Sequence, residues 1–109
     1  MDPHYWKTGG VRYGESFWFA LNFTIPFAKL CVKRDSIVLR ISFLGLFRRT
    51  FEFQKSEIRA LKWKRGFFSR GLLIEHCKPD YPPFILFWTG DRKGLGAALS
   101  GRGYDIPAI

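Results

Sequence analysis

Residues 28 to 43 alternate with a period of two across a turn, a pattern that neither a helix nor an irregular segment accommodates. Ala28, Leu30 and Val32 fall on one side of an extended chain, with Lys29, Cys31 and Lys33 on the other. Arg34-Asp35-Ser36 supplies the polar residues of a turn. Ile37, Leu39, Ile41 and Phe43 then resume the apolar side while Arg40 and Ser42 face out, until Gly45 permits the next reversal. The expectation is an antiparallel hairpin with one buried face.

Extending the same reading in both directions gives a chain of strands. Phe17 to Phe23 reads as a first strand that stops at Thr24-Ile25-Pro26, where proline lacks the amide proton of a ladder and the chain is expected to bend. Phe51 and Phe53 alternate with Thr50, Glu52 and Gln54 in a fourth strand. Ile58 and Leu61, spaced by three, suggest a helical turn before a fifth strand at Leu61 and Trp63. Leu72, Ile74 and His76 form a sixth. Cys77 to Pro83, with three prolines, reads as a loop, and Phe84 to Trp88 is an unbroken apolar run expected to be buried on both faces. Leu95, Ala98 and Leu99 then follow helical spacing, with Thr89 or Asp91 as a cap and Gly101 and Gly103 as stops. Residues 1–16, with Pro3, Gly9, Gly10 and Gly14 among polar residues, show no packing period and read as an irregular, loosely held leader to one domain over 17–106.

A chain of 109 residues can fold alone as one domain. Its 12 Phe, 4 Trp and 4 Tyr favour pleated, packed surfaces over disorder or a coiled coil. The net charge of +9 selects anionic partners, whether lipid, nucleic acid or acidic protein. Two cysteines allow one disulfide at most, and a reducing compartment is the simpler expectation. Residues 1 to 10 lack the basic start, apolar run and cleavage site of a secretory signal. The most apolar stretch, Phe17 to Ala28, is interrupted by Asn22 and Pro26 and falls short of the ~20 residues of a spanning helix. A cytoplasmic location is expected, with the inner face of the membrane as its peripheral variant.

Catalytic and metal chemistry find no support. His76 and Cys77 are adjacent on a strand, so their side chains point to opposite faces and cannot share a hydrogen bond. His4, His76, Cys31 and Cys77 lack the spacing of a zinc site, and neither Gly94-Leu95-Gly96 nor Gly66 to Gly71 has the remaining residues of a nucleotide loop. No enzyme and no cofactor are expected. The most suggestive stretch is Lys62-Trp63-Lys64-Arg65-Gly66-Phe67-Phe68-Ser69-Arg70 at a hairpin tip. Lys62, Lys64, Arg65 and Arg70 suit anionic headgroups, and Phe67 and Phe68 suit the interfacial region. A nucleic acid stacking on Trp63 or the Phe pair is the weaker alternative. Lys33-Arg34 and Arg48-Arg49, on separate hairpins, extend the patch only if they share its face, and scattered surface charge is the expectation.

Pro26-Phe27-Ala28-Lys29-Leu30, Phe51-Glu52-Phe53-Gln54-Lys55-Ser56-Glu57-Ile58, and the ending from Phe87-Trp88-Thr89 through Leu99 to Gly103-Tyr104 resemble bacterial members of the pleckstrin-homology-like group, over roughly residues 17 to 106. The resemblance implies a seven-stranded barrel or split barrel of two nearly orthogonal antiparallel sheets, with the C-terminal helix plugging one end. It further implies a non-enzymatic interaction module that binds a protein partner or assembles with itself. Lipid-binding members carry basic residues on the loop after the first strand. The matching Thr24-Ile25-Pro26 is uncharged, so phosphoinositide recognition is not carried over.

Overall fold

The computed structural model describes residues 4–16, 20–65 and 70–107. Its strands are β1 (Tyr5–Gly14), β2 (Ala20–Val32), β3 (Ser36–Phe43), β4 (Phe47–Gln54), β5 (Ile58–Arg65), β6 (Arg70–His76) and β7 (Phe84–Trp88), followed by helix α1 (Arg92–Gly101). All pair antiparallel in one order, β4-β3-β2-β1-β7-β6-β5. The rings of Phe53 on β4 and His76 on β6, from opposite halves of that order, lie 4.9 Å apart. The sheet is therefore curled on itself, and the protein is mainly β with one C-terminal helix.

From β3 onward the strands fall where alternation predicts them; the first two do not. The supposed leader is corrected: residues 5–14 form β1, at the centre of the order between β2 and β7, with Val11 and Tyr13 buried. Its glycines mislead because they mark close packing rather than a loop. A Cβ on Gly9 would lie 2.0 Å from the Trp88 carbonyl oxygen, and one on Gly10 would lie 2.5 Å from the Trp88 indole. The two strands expected at 17–23 and 28–33 are instead the single β2, of which Phe17 to Phe19 lie outside the described residues. Proline still leaves its mark. Gly9 pairs with Ala28 but Val11 with Phe23, so residues 24–27 bulge out of the ladder, and only Ala28–Val32 pairs onward with β3.

The helical turn before β5 is a 3-10 turn, Lys55–Glu57, closed by a capping box in which the Gln54 N–H donates to Glu57 Oε1 at 2.8 Å. A register shift between Ile58 and Ala60 gives Ile58 and Leu61 their spacing of three within a strand. Phe84 to Phe87 are buried on both faces, as their unbroken apolar run predicts.

Leu95 and Leu99 of α1 join the core formed by Leu30, Leu39, Phe51, Phe53, Leu72 and Phe87. Asp91 caps the helix by accepting from the Gly94 N–H at 2.9 Å. A Cβ on Gly94 would meet that carboxylate at 2.1 Å, so this glycine makes room for the cap. At the other end Gly103, at φ 84, donates to the Ser100 carbonyl and Tyr104 to that of Leu99, the paired bonds of a Schellman ending. They direct Tyr104 back onto Leu99 and into the core.

The turn between β3 and β4 is less comfortable. The Leu46 N–H donates to the Phe43 carbonyl, and both residues between them have positive φ, Leu44 at 52 and Gly45 at 72. Glycine accepts this; a leucine there costs about 1 kcal/mol.

Candidate interaction surfaces

The β5–β6 hairpin carries the predicted site. Lys62 and Lys64 project from the outward face of β5, opposite Leu73 and Gly71, whereas Arg70 falls on the face of β6 that carries the buried Leu72 and Ile74. The cations are thus divided between two faces rather than gathered into one patch. Lys62 also forms an ion pair with Glu75 at 3.3 Å, which offsets part of its charge. Trp63 donates its indole N–H to the Pro107 carbonyl at 3.0 Å and packs half-buried against the core, so its ring is occupied by the fold rather than presented to a base. Phe67 and Phe68 lie outside the described residues, as does the Arg65 side chain.

The two terminal strands of the order differ in what covers them. The β4 edge is met by the 77–83 loop: the Glu52 N–H donates to Tyr81 Oη at 3.1 Å, and the Lys78 ammonium reaches the Glu52 carbonyl at 3.3 Å and Glu57 Oε1 at 3.5 Å. Beside β5 lies a cleft of about 480 Å³, with Ile58, Arg59, Leu61 and Lys62 on one wall and Tyr104, Asp105 and Pro107 on the other. At its floor the Lys55 ammonium donates to the Arg102 carbonyl at 2.7 Å and sits 4.4 Å from the centre of the Tyr104 ring. The cleft is cationic, with Lys55, Arg59 and Lys62 against Asp105, and β5 beside it is a terminal strand of the order.

The His76 imidazole is committed to the backbone. It accepts from the Lys78 N–H at 3.0 Å through Nδ1, which leaves Nε2 as the protonated nitrogen, donating to the Pro82 carbonyl at 2.8 Å. It therefore latches the 77–83 loop to β6. Neither cysteine is in a disulfide; Cys77 is exposed and Cys31 buried. Cys31 lies on the outward face as its strand pattern predicts, but Trp6 and Val38 flank it there. Among the described residues no group of three or more His, Cys, Asp or Glu side chains is placed to hold a metal. No described helix is long and apolar enough to cross a membrane.

Two features escape the sequence reading. The exposed indole of Trp6 faces two cations, with Lys29 Nζ 5.6 Å and the Arg40 guanidinium 5.1 Å from its centre. The second is the tip of the β3–β4 hairpin, Phe43-Leu44-Gly45-Leu46-Phe47, where Leu44 is 70% and Leu46 89% exposed. The signal was present: a turn reads as polar, and this one is apolar on both sides of its glycine. Arg48 and Arg49 belong to this hairpin, not to the β5–β6 tip.

No family model matches the chain, and no curated protein matches it.

Proposed function

We propose that the protein is a non-enzymatic interaction module of pleckstrin-homology-like architecture that takes up an extended, acidic segment of a protein partner along β5. Two features support the architecture: a meander in which β1 joins the β2–β4 half to the β5–β7 half, and a helix that seals the core after the last strand. In this reading the two halves are the two crossed sheets of the barrel.

The observation that carries the binding role is the contrast between the edges, β4 covered by its loop and β5 fronted by a cationic cleft. A strand added at β5 gains main-chain hydrogen bonds, and Arg59 and Lys62 beside it select acidic side chains. Selection from a displayed peptide library tests this. Extended sequences enriched in Asp and Glu are expected, with affinity falling about tenfold or more on Arg59→Glu with Lys62→Glu. Bound peptide is expected to slow amide exchange in β5. Peptides without acidic enrichment, or protection elsewhere, would sink the reading. Light scattering decides the competing occupant, a second copy: a concentration-dependent dimer lost on the same charge reversal places that copy's own strand in the cleft.

A further inference from the structure

The β3–β4 hairpin presents an apolar tip in which Leu44 and Leu46 are the outermost side chains and Leu44 occupies a backbone conformation that favours Asn or Gly. A leucine there works against its own turn. Behind the tip the rings of Phe23 and Phe47 stack at 5.1 Å and those of Phe27 and Phe43 meet at 4.7 Å, so the two leucines stand on a packed aromatic base.

The charge behind the tip is of one sign. Residues 36–51 contain Arg40, Arg48 and Arg49 and no Asp or Glu. Arg49 is held over the rings of Phe51, at 4.7 Å, and Tyr13, at 5.6 Å, while Arg40 and Lys29 lie side by side on the outward face. Arg48 stands two positions along the chain from Leu46, about 7 Å at the usual rise. That spacing matches the ~5–10 Å over which an interfacial apolar group passes from headgroups into acyl chains.

We propose that this hairpin tip anchors the protein to an anionic lipid surface, with Leu44 and Leu46 entering the acyl boundary while Arg48 and Arg49, on opposite faces of β4, meet the headgroups on either side of the tip. The tip is convex, and a fluid layer closes around it without a preformed socket. A second copy offers the cleft beside β5, but its Lys55, Arg59 and Lys62 repel the hairpin's arginines. The anchor does not depend on peptide binding at β5.

The test is flotation with vesicles of phosphatidylcholine alone and of phosphatidylcholine mixed with phosphatidylglycerol. The wild-type protein is expected to float with the mixed vesicles only. Leu44→Asn combined with Leu46→Ser is expected to lower that partition about tenfold or more, while Leu44→Asn alone melts at or above the wild-type temperature, which separates lost anchoring from lost folding. Arg48→Gln with Arg49→Gln is expected to reduce binding and flatten its dependence on salt. The proposal is overturned if the wild-type protein ignores anionic vesicles or if binding survives loss of both leucines. It is equally overturned if Phe67→Ala with Phe68→Ala abolishes binding that the leucine variants retain, because the contact then belongs to the β5–β6 loop.

Discussion

The Tyr104 hydroxyl donates to the Lys33 carbonyl at 2.9 Å, fastening the segment after α1 to the end of β2 across 71 positions of sequence. Burial, reinforced by the nearby Asp35 and opposed by Arg102, pushes this phenol up to about 12. Tyr104→Phe keeps the ring in the core and removes one hydrogen bond, an expected loss of about 1 kcal/mol, or roughly 5 °C in melting temperature. The pH dependence has a definite sign. The unfolded phenol ionises near 10.0 and the folded one near 12, so the unfolded state sheds its proton first and stability falls as pH rises through that window. Tyr5 and Tyr13, also raised by burial, act in the same direction. Melting curves taken from neutral pH upward are therefore expected to fall more steeply for the wild-type protein than for Tyr104→Phe. Parallel curves would show that Tyr104 does not carry the effect.

Glycines of the described chain divide by what lies beside them, Gly9 of β1 being crowded and two at the ends of α1 being open. Gly9→Ala places a methyl against the Trp88 backbone, which cannot swing aside, so a loss of about 2 kcal/mol or more is expected. Gly90 and Gly101 have open space and no positive φ. Gly90→Ala is expected to be nearly neutral, and Gly101→Ala, at the last position of α1, to stabilise by a few tenths to about 1 kcal/mol. Thermal melts of the three variants rank them directly; an innocuous Gly9→Ala would contradict the packing of β1 on β7.

Asp91 links the start of α1 to β1, accepting from the Gly94 N–H and pairing with Lys7 at 3.4 Å. The Gly94 N–H first, and Lys7 after it, hold the carboxyl below its ordinary 3.8. A depressed carboxyl contributes stability that is present above its unfolded value and lost as pH falls through the folded one. Asp91→Ala is expected to lower the melting temperature at neutral pH and to lose less stability than the wild type as pH falls through and below the ordinary carboxylate range. Asp91→Ser, which preserves a cap without the charge, is expected to recover part of the neutral-pH loss and none of the acid dependence.

Legibility in the sequence followed burial. From β3 to α1 the apolar side of each element faces the core, so Ile37, Leu39 and Ile41 declare themselves by alternation, Phe84 to Phe87 by an unbroken apolar run, and Leu95 and Leu99 by helical spacing. β1 sits among neighbours that press on its backbone, and glycine, the residue that allows this, is also the residue of loops. The candidate site fared similarly. A run of cations around Phe67 and Phe68 looks like one patch in sequence, but the register sends Lys62 and Arg70 to opposite faces. The apolar turn at Leu44 is hidden by its own glycine, which signals a reversal whatever residues flank it.

Cys31 reports on the outward face of β2, with the exposed Cys77, just after β6, as its reference. Cys77 is exposed, whereas Cys31 is shielded between Trp6 and Val38 on the neighbouring strands. A chromogenic disulfide reagent is therefore expected to titrate one thiol in the native protein and both in denaturant. Trp6 supplies more than its cation contacts here, since an indole directly across the ladder covers the side chain opposite it. Trp6→Ala is expected to make Cys31 react in the native state about tenfold faster or more, while Lys29 and Arg40 gain hydration and overall stability drops by only about 1 kcal/mol. Rapid labelling of Cys31 in the wild-type protein would mean that β1 opens readily from β2, and the central place of residues 5–14 in the sheet would then have to be reconsidered.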